Sequence, residues 1–341
     1  MVGPVTVSFP ARLHMANGRK VFVSRLIPDA GLDLLRGIED LTVWQGDVPP
    51  SRDELTTAVH GCHGVICLLS DTIDAALLDA AGPQLRVVSL YSAGFNNVDL
   101  AAATARRVVV TNTPDQLTET TAELAFTLMM GAARRVREGI ANVESGAWKT
   151  WGPRVLRGHD LLGATLGIIG MGRIGAAVAR RAIAMGMNVV YFDPSPFMIP
   201  PGDAPVKRVD TLEDLLRTSD FVSLHCPLTP ATRHMINADT IRQMKPNAIL
   251  VNTGRGPCVD TDALVQALSA GTIFAAALDV TDPEPLPPDH PLARLPNCLI
   301  LPHVGSATFR TRDAMAVGAA RNLLDVLDGR LPRDTINPDA M

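Results

Sequence analysis

No stretch of this sequence stays apolar and uncharged for the roughly 18–20 residues that a bilayer-spanning helix requires, so a membrane-embedded chain is not expected. Positive charge is not in excess: 31 Lys and Arg face 35 Asp and Glu, a formal net charge of −4. That balance excludes a global basic field for nucleic acid and leaves room only for a local patch. The first residues, MVGPVTVSFPARLHMANG, have neither a basic n-region nor a sustained apolar core, so they do not read as a secretory signal. Residues 1–17 are expected to form an unstructured extension. The five cysteines, Cys62, Cys67, Cys226, Cys258 and Cys298, are odd in number, scattered and free of any CxxC spacing. Such usage fits reduced thiols in a cytoplasmic protein rather than a disulfide framework. Solenoid periods and low-complexity tracts are also missing.

Apolar material is plentiful. Hydrophobic residues make up 47% against 19% charged, enough to fill cores and incompatible with a disordered chain. At roughly 100–200 residues per domain, this length predicts two domains. Short apolar runs at residues 21–24, 64–69, 86–90 and 107–111 read as strands, separated by helical stretches near 29–36, 51–59 and 72–80. Continuous apolar strands alternating with helices predict a parallel sheet covered on both faces. The alternation restarts with strands at 165–169, 188–192, 221–224, 248–252, 274–278 and 299–301, a helix at 174–185, and a last helix at 308–327.

Between these two α/β units, residues 118–144 read as helix almost throughout. The segment TTAELAFTLMMGAA is apolar on nearly every face and is expected to be buried all round. The stretch GAWKTWGPRVLRGHDLLG after it has no clear period and holds two of the three tryptophans, Trp148 and Trp151. Large aromatics on an irregular arm mark an interface or a pocket wall, or else pack on their own domain.

TLGIIGMGRIGAAVARRA places Gly170, Gly172 and Gly175 in GxGxxG spacing after an apolar strand and at the opening of a helix, the context a dinucleotide site requires. Gly170 permits the tight turn, Gly172 lets the backbone approach a pyrophosphate, and Gly175 lets helix and strand pack closely. Amides at the helix start meet the phosphate charge. Asp193, ending the next strand 18 residues beyond Gly175, can accept hydrogen bonds from the adenosine ribose and would repel a 2′-phosphate, which favours NAD(H) while leaving NADP(H) possible.

Three later segments, VNTGRGPCVD, LDVTDPEPLP and LPHVGSAT, each follow a predicted strand and so sit at the carboxyl edge of the sheet, where open α/β folds bind ligands. They offer Arg255, Glu284 and His303. Singly these are a surface ion pair, a turn residue and a helix cap; their joint placement on the cofactor side points to chemistry. HGCHGVIC gathers His60, Cys62, His63 and Cys67, but the spacing matches no zinc-finger pattern and its end reads as a buried strand, so no metal site is assigned.

The ordered set TPDQLTETTAELAFTL, GMGRIG, NTGRG, DPEP and PHVGSAT resembles the D-isomer-specific 2-hydroxyacid dehydrogenase family from about Gly18 onward. CLLSDTIDAALLDAAG, the WKTW arm and ALDVTDPEPLPPDHPLARLPNCLILPHVGSATFRTR look most like its glyoxylate/hydroxypyruvate reductase branch. The resemblance implies a Rossmann nucleotide domain, residues 117–308, inserted into a flavodoxin-like substrate domain, residues 18–116 plus 309–341, with substrate in the cleft. It implies reduction of small 2-oxo acids to D-2-hydroxy acids. His303 would be the general acid, since an imidazole titrates near the operating pH. Glu284 would hold it protonated, and Arg255 would bind the carboxylate and polarise the carbonyl. Backbone amides at Ala93 and Gly94 would take the other carboxylate oxygen, Tyr91 would line the pocket, and Trp151 would reach the site of a partner subunit.

By the same resemblance Thr121, Arg173, Ile174, His225, Cys226, Pro227, Thr253, Asp279 and Gly305 join the three glycines and Asp193 around the cofactor. A homodimer would form through residues 118–144 and the Trp148/Trp151 arm. Two other readings stand beside this one: a D-lactate or 2-ketogluconate type reductase, and an NAD(H)-sensing binding protein of the corepressor kind, since such proteins keep the same three residues.

Overall fold

The computed structural model describes residues 5–6, 18–194 and 206–341. Its strands are β1 (Val5–Thr6), β2 (Lys20–Val23), β3 (Asp40–Val43), β4 (Gly64–Cys67), β5 (Val87–Leu90) and β6 (Val109–Thr111), then β7 (Thr165–Ile169), β8 (Asn188–Phe192), β9 (Val206–Arg208), β10 (Phe221–Leu224), β11 (Ile249–Asn252), β12 (Ala275–Leu278) and β13 (Cys298–Ile300). The chain divides into two compact units, residues 1–117 with 307–341, and residues 118–306.

In the first unit the sheet order is β1-β3-β2-β4-β5-β6, parallel except for β1. The five parallel strands run 2-1-3-4-5 in chain order, the flavodoxin-like arrangement. Every residue of β4, β5 and β6 is buried, as expected of strands covered on both faces. One face packs on Asp29–Leu35 and Phe309–Leu327, the other on Arg52–Val59, Ala75–Ala81 and Leu100–Ala105. The C-terminal helix therefore completes a unit begun almost 300 residues earlier.

In the second unit seven parallel strands run β13-β12-β11-β10-β7-β8-β9. Counted from β7 the order is 3-2-1-4-5-6 with one strand added, the Rossmann arrangement, and its order reverses between β7 and β10. Thr118–Ala133 and Arg173–Ala184 cover one face; Leu212–Thr218 and Thr261–Ala270 cover the other. The architecture is a Rossmann unit inserted into a flavodoxin-like one.

Three expectations are corrected. The helix foreseen at 118–144 is two helices, Thr118–Ala133 and Val136–Glu144, because Arg135 takes left-handed backbone (φ 53°) and is clamped there by Glu138 at 2.5 Å. The first of them is not buried all round: Glu119, Glu123, Thr127 and Met130 share an exposed face, and Glu119 and Glu123 pair with Arg180 and Arg181. Within residues 1–17, Val5 and Thr6 are not an unstructured extension; they pair with Val43 and Thr42 along an otherwise open strand edge. The remainder of that extension lies outside the described residues.

Candidate active site

The glycine turn joins β7 to the helix Arg173–Ala184. Gly170 has φ 91°, and a Cβ there would lie 2.7 Å from the Cys226 nitrogen at the end of β10. A side chain is thus excluded both by backbone conformation and by space. A Cβ on Gly175 would lie 2.3 Å from the Gly170 carbonyl oxygen and 3.2 Å from Ile168 of β7. Gly172 differs: its Cβ position faces open space, and as the N-cap it supplies no side chain to the first helical N–H groups. The first N–H groups of a helix have no carbonyl partner within the helix itself, and here they stand at the edge where the sheet order reverses. The turn fits a dinucleotide pyrophosphate.

Residues around the turn divide by role. Asp193 Oδ2 accepts from the Met171 N–H at 2.9 Å, which sets the carboxylate against the turn. Arg173 and Ile174 form the first helical turn, with Ile174 half-buried against the core. His225 Nε2 lies 2.9 Å from Ser223 Oγ and Nδ1 3.3 Å from Thr253 Oγ1; burial pushes the imidazole down to about 4, so it is neutral. His225 and Thr253 therefore brace each other across β10 and β11. Cys226 is buried and Pro227 exposed.

The triad Arg255, Glu284 and His303 stands on the next three strand ends of the same unit. His303, after β13, has left-handed backbone (φ 54°) and donates its N–H to the Asp279 carbonyl at 2.9 Å. Its Nδ1 meets Glu284 Oε1 at 2.5 Å. Burial raises the Glu284 carboxyl, but the His303 hydrogen bond and charge, the Thr281 N–H and the Arg255 charge outweigh it and hold the group below its ordinary value. Arg255 is lowered by burial, opposed by the Glu284 charge; a guanidinium remains ionised regardless. A cavity of about 620 Å³ opens on this side, walled by Asp279, Thr281, Glu284, Leu286, Leu301 and His303 among others.

Asp279 and Thr121 act on the loop that carries His303. Both Asp279 oxygens accept from that loop, from Val304 N–H and Gly305 N–H at 2.8 Å each. Burial raises this carboxyl against those two hydrogen bonds and the His303 charge. Thr121 donates its hydroxyl to the Gly305 carbonyl at 3.2 Å. Residues without an assigned role in the sequence also position the triad. A Cβ on Gly256 would lie 1.9 Å from the Thr281 oxygen, so this glycine lets the Arg255 loop press on the Glu284 loop. Asn252 donates to the Arg255 carbonyl at 2.9 Å and accepts from the Gly254 N–H at 3.0 Å. Both lie in NTGRG, whose pattern was visible although these supporting contacts were not.

Tyr91, Ala93 and Gly94 belong to the first unit. Tyr91 donates its hydroxyl to the Arg312 carbonyl at 3.0 Å, and burial pushes the phenol up to about 12. The Ala93 carbonyl accepts from Asn112 and the Gly94 carbonyl from the Ser92 hydroxyl, 2.7 Å each. Trp151 is 80% exposed. In HGCHGVIC, His60 and His63 bond to the backbone of Ala80 and Lys20, and among the described residues no group of three His, Cys, Asp or Glu is placed to hold a metal ion. No described helix is long and apolar enough to cross a membrane.

Residues 126–305 match the family model for the D-isomer specific 2-hydroxyacid dehydrogenase NAD binding domain. A glyoxylate reductase from Korarchaeum cryptofilum is 47% identical over 94% of this chain and 97% of its own length. The human glyoxylate reductase/hydroxypyruvate reductase is 46% identical over 91% and 95%. Among solved structures, an NADPH-dependent glyoxylate/hydroxypyruvate reductase from Sinorhizobium meliloti, in complex with NADP and malonate, superposes with a TM-score of 0.81 at 31% identity, covering 94% of this chain and 97% of that one. A family model that spans more than half of the chain, with relatives 46–47% identical over more than nine-tenths of it, shows that the chain belongs to the D-isomer-specific 2-hydroxyacid dehydrogenase family.

Proposed function

We propose that this chain reduces glyoxylate and hydroxypyruvate, using NADH, with His303 as the proton donor. The observation that carries the reading is the Glu284–His303 hydrogen bond at the same sheet edge as the glycine turn. The names of the relatives support the substrate class. Bound at the turn, the nicotinamide cofactor supplies a hydride for the substrate's carbonyl carbon. His303 Nε2 gives its proton to the carbonyl oxygen, and the Glu284 carboxylate at Nδ1 stabilises the protonated ring. Arg255 clamps the substrate carboxylate and draws charge toward the carbonyl oxygen. The family resemblance assigns the other carboxylate oxygen to Ala93 and Gly94 and a wall of the pocket to Tyr91.

The remaining contacts proposed for the cofactor are Thr121, Arg173, Ile174, His225, Cys226, Pro227, Thr253, Asp279 and Gly305, with Asp193 at the ribose. The helix Val136–Glu144 buries no residue, and Val136, Ile140, Val143, Trp148, Trp151 and Leu162 expose apolar side chains along it and the following arm. A surface of this kind supports a homodimer through this region, with Trp151 at the partner's site. Five free buried cysteines fit a cytoplasmic location.

NADH oxidation measured against glyoxylate, hydroxypyruvate, pyruvate and 2-ketogluconate tests the reading. The first two are expected to be preferred. NADH should exceed NADPH in kcat/KM by about tenfold or more, because Asp193 meets a 2′-phosphate with like charge, and Asp193→Ser should narrow that gap. Equal or better use of NADPH would remove the role given to Asp193, and turnover of only the bulkier acids would move the substrate.

The low Glu284 carboxyl also sets a pH dependence. A carboxyl lowered in the folded protein supports imidazolium above its ordinary range and loses that support as pH falls through its lowered value. At neutral pH it is ionised, so Glu284→Gln withdraws a negative charge from His303 and should shift the alkaline limb of kcat/KM to lower pH. A profile superimposable on the parent's would dismiss Glu284 as the partner of the acid.

A further inference from the structure

We propose that Asp71, together with Asn97, is a positioning residue that sets the Ala93–Gly94 loop to receive the substrate carboxylate; the inference rests on the 2-oxo acid reading above. Asp71 lies in CLLSDTID, a segment to which the triad and the glycine turn give no task. In the first unit the sheet order reverses between β2 and β4, the place where ligands enter folds of this kind. Asp71 bridges that point. The Ser24 hydroxyl, just past β2, donates to its Oδ2, and the Leu68 N–H, just past β4, donates to the same oxygen at 2.7 Å. Asp71 is only 2% exposed, and Ser24 is fully buried. Arg25 brings a positive charge close by, its guanidinium donating to the Ser24 carbonyl at 2.6 Å and to the Ser70 hydroxyl at 3.2 Å.

Asn97 extends this tie to the loop that follows β5. Its side-chain amide donates to the Leu68 and Asp71 carbonyls at 3.0 and 2.8 Å. Its backbone carbonyl accepts from the Ile73 N–H at 2.8 Å, and the Asp99 N–H returns to the Ile73 carbonyl at 2.9 Å. From the β6 side, Asn112 holds the Ala93 carbonyl at 2.7 Å and the Thr113 N–H holds the Ser92 carbonyl at 2.8 Å. Residues 92–97 are therefore fixed from both flanks. Inside that loop the Ala93 and Gly94 carbonyls are both engaged as acceptors. Neither N–H of these two residues has an acceptor among the described residues. Successive backbone N–H groups of this kind, on a loop that cannot turn away, suit a carboxylate oxygen.

The chemistry of the side chain decides why an Asp stands here. Two donors from two different loops converge on one oxygen, and a carboxylate is an acceptor only. Alanine would leave the Ser24 hydroxyl and the Leu68 N–H buried without an acceptor, so residues 68–73 would shift and 92–97 would follow through Asn97. Asparagine keeps an oxygen that accepts from both donors. Holding the substrate carboxylate counts equally in the ground state and the transition state, so its loss falls on KM rather than kcat. The glycine turn belongs to the other unit, and NADH affinity is left as it was.

Full-length Asp71→Ala, Asp71→Asn and Asn97→Ala are compared with the parent, using glyoxylate as the probe, NADH fluorescence for cofactor affinity and amide hydrogen exchange read by mass spectrometry. Ser51→Ala, which removes an exposed helix cap of the same unit, controls for destabilisation alone; it should lower Tm and leave KM in place. In the two alanine variants at the tie, KM for glyoxylate is expected to rise about 10–100-fold, the range for hydrogen bonds to a charged group. There kcat should stay within about threefold of the parent, NADH affinity should hold, and exchange should quicken at 68–73 and 92–97 above all. Asp71→Asn should recover most of the KM. If Asp71→Ala folds poorly, Asn97→Ala makes the same comparison from the other end of the tie. An unchanged KM in the alanine variants overturns the proposal, as does unchanged exchange at 92–97, or a loss spread evenly over KM, kcat and NADH affinity. A parent that turns over no glyoxylate would instead count against the substrate reading, and the exchange at 92–97, which needs no oxo acid, would still decide whether Asp71 holds the loop.

Discussion

Asn in place of His303 is expected to lower kcat by about 10²–10⁴-fold, the usual contribution of a positioned general acid, while NADH still binds. Asn is the informative replacement because of the backbone. His303 sits at φ 54°, a region where Asn is several-fold enriched and most other residues are strained. The loop is also held independently of the imidazole, by the His303 N–H on the Asp279 carbonyl and by Asp279 on the Val304 and Gly305 amides. What the substitution removes is therefore the proton at Nε2 and the pairing of Nδ1 with Glu284. Single-turnover kinetics with NADH fluorescence and a thermal melt in parallel separate the effects. A kcat within about threefold of the parent, with Tm unchanged, would place the proton donor elsewhere, since that loss falls below the range for general acid catalysis.

What the sequence made legible follows physical lines. Strands such as β5, β7 and β10 are short, apolar and covered on both faces, so their composition alone marks them. β3 and β9 escaped notice because DLTV and VKR are half-exposed and carry charge, the pattern of strands near a sheet edge. The break at Arg135 had no Gly or Pro to announce it; it depends on a side-chain clamp to Glu138 that only the folded chain supplies. The same division holds at the site. Gly170, Gly172 and Gly175 were readable because their spacing falls within one local strand–turn–helix segment, where Gly170 takes φ 91° and Gly175 packs on the Gly170 carbonyl. Gly256 needs glycine for a different reason, the approach of Thr281 from a distant loop, and such contacts leave no local signature. His225 carries chemistry by residue type, yet Ser223 and Thr253 hold its ring between them as a neutral brace.

Arg255→Gln is expected to lower kcat/KM by about 10²–10³-fold, comparable with the loss of one donor from a preorganised anion site, and to divide the loss between KM and kcat. In the proposed mechanism the guanidinium has two tasks. Clamping the substrate carboxylate is made in the ground state and the transition state alike, so its loss raises KM; polarising the carbonyl grows only as negative charge develops on oxygen, so its loss lowers kcat. Arg255→Lys keeps the charge but not the planar fork and should recover part of kcat while leaving KM high. A third readout tests the neighbourhood. The Arg255 charge is among the influences that lower the Glu284 carboxyl, and Gly256 packed on Thr281 keeps the two loops together. With glutamine at 255 the Glu284 carboxyl should rise, and the acid limb of the pH profile should move to higher pH, because less acid is then needed to protonate the group that supports His303. A rise in KM with kcat and the acid limb both unchanged would leave Arg255 a binding residue only. The task of drawing charge onto the carbonyl oxygen would then rest on His303.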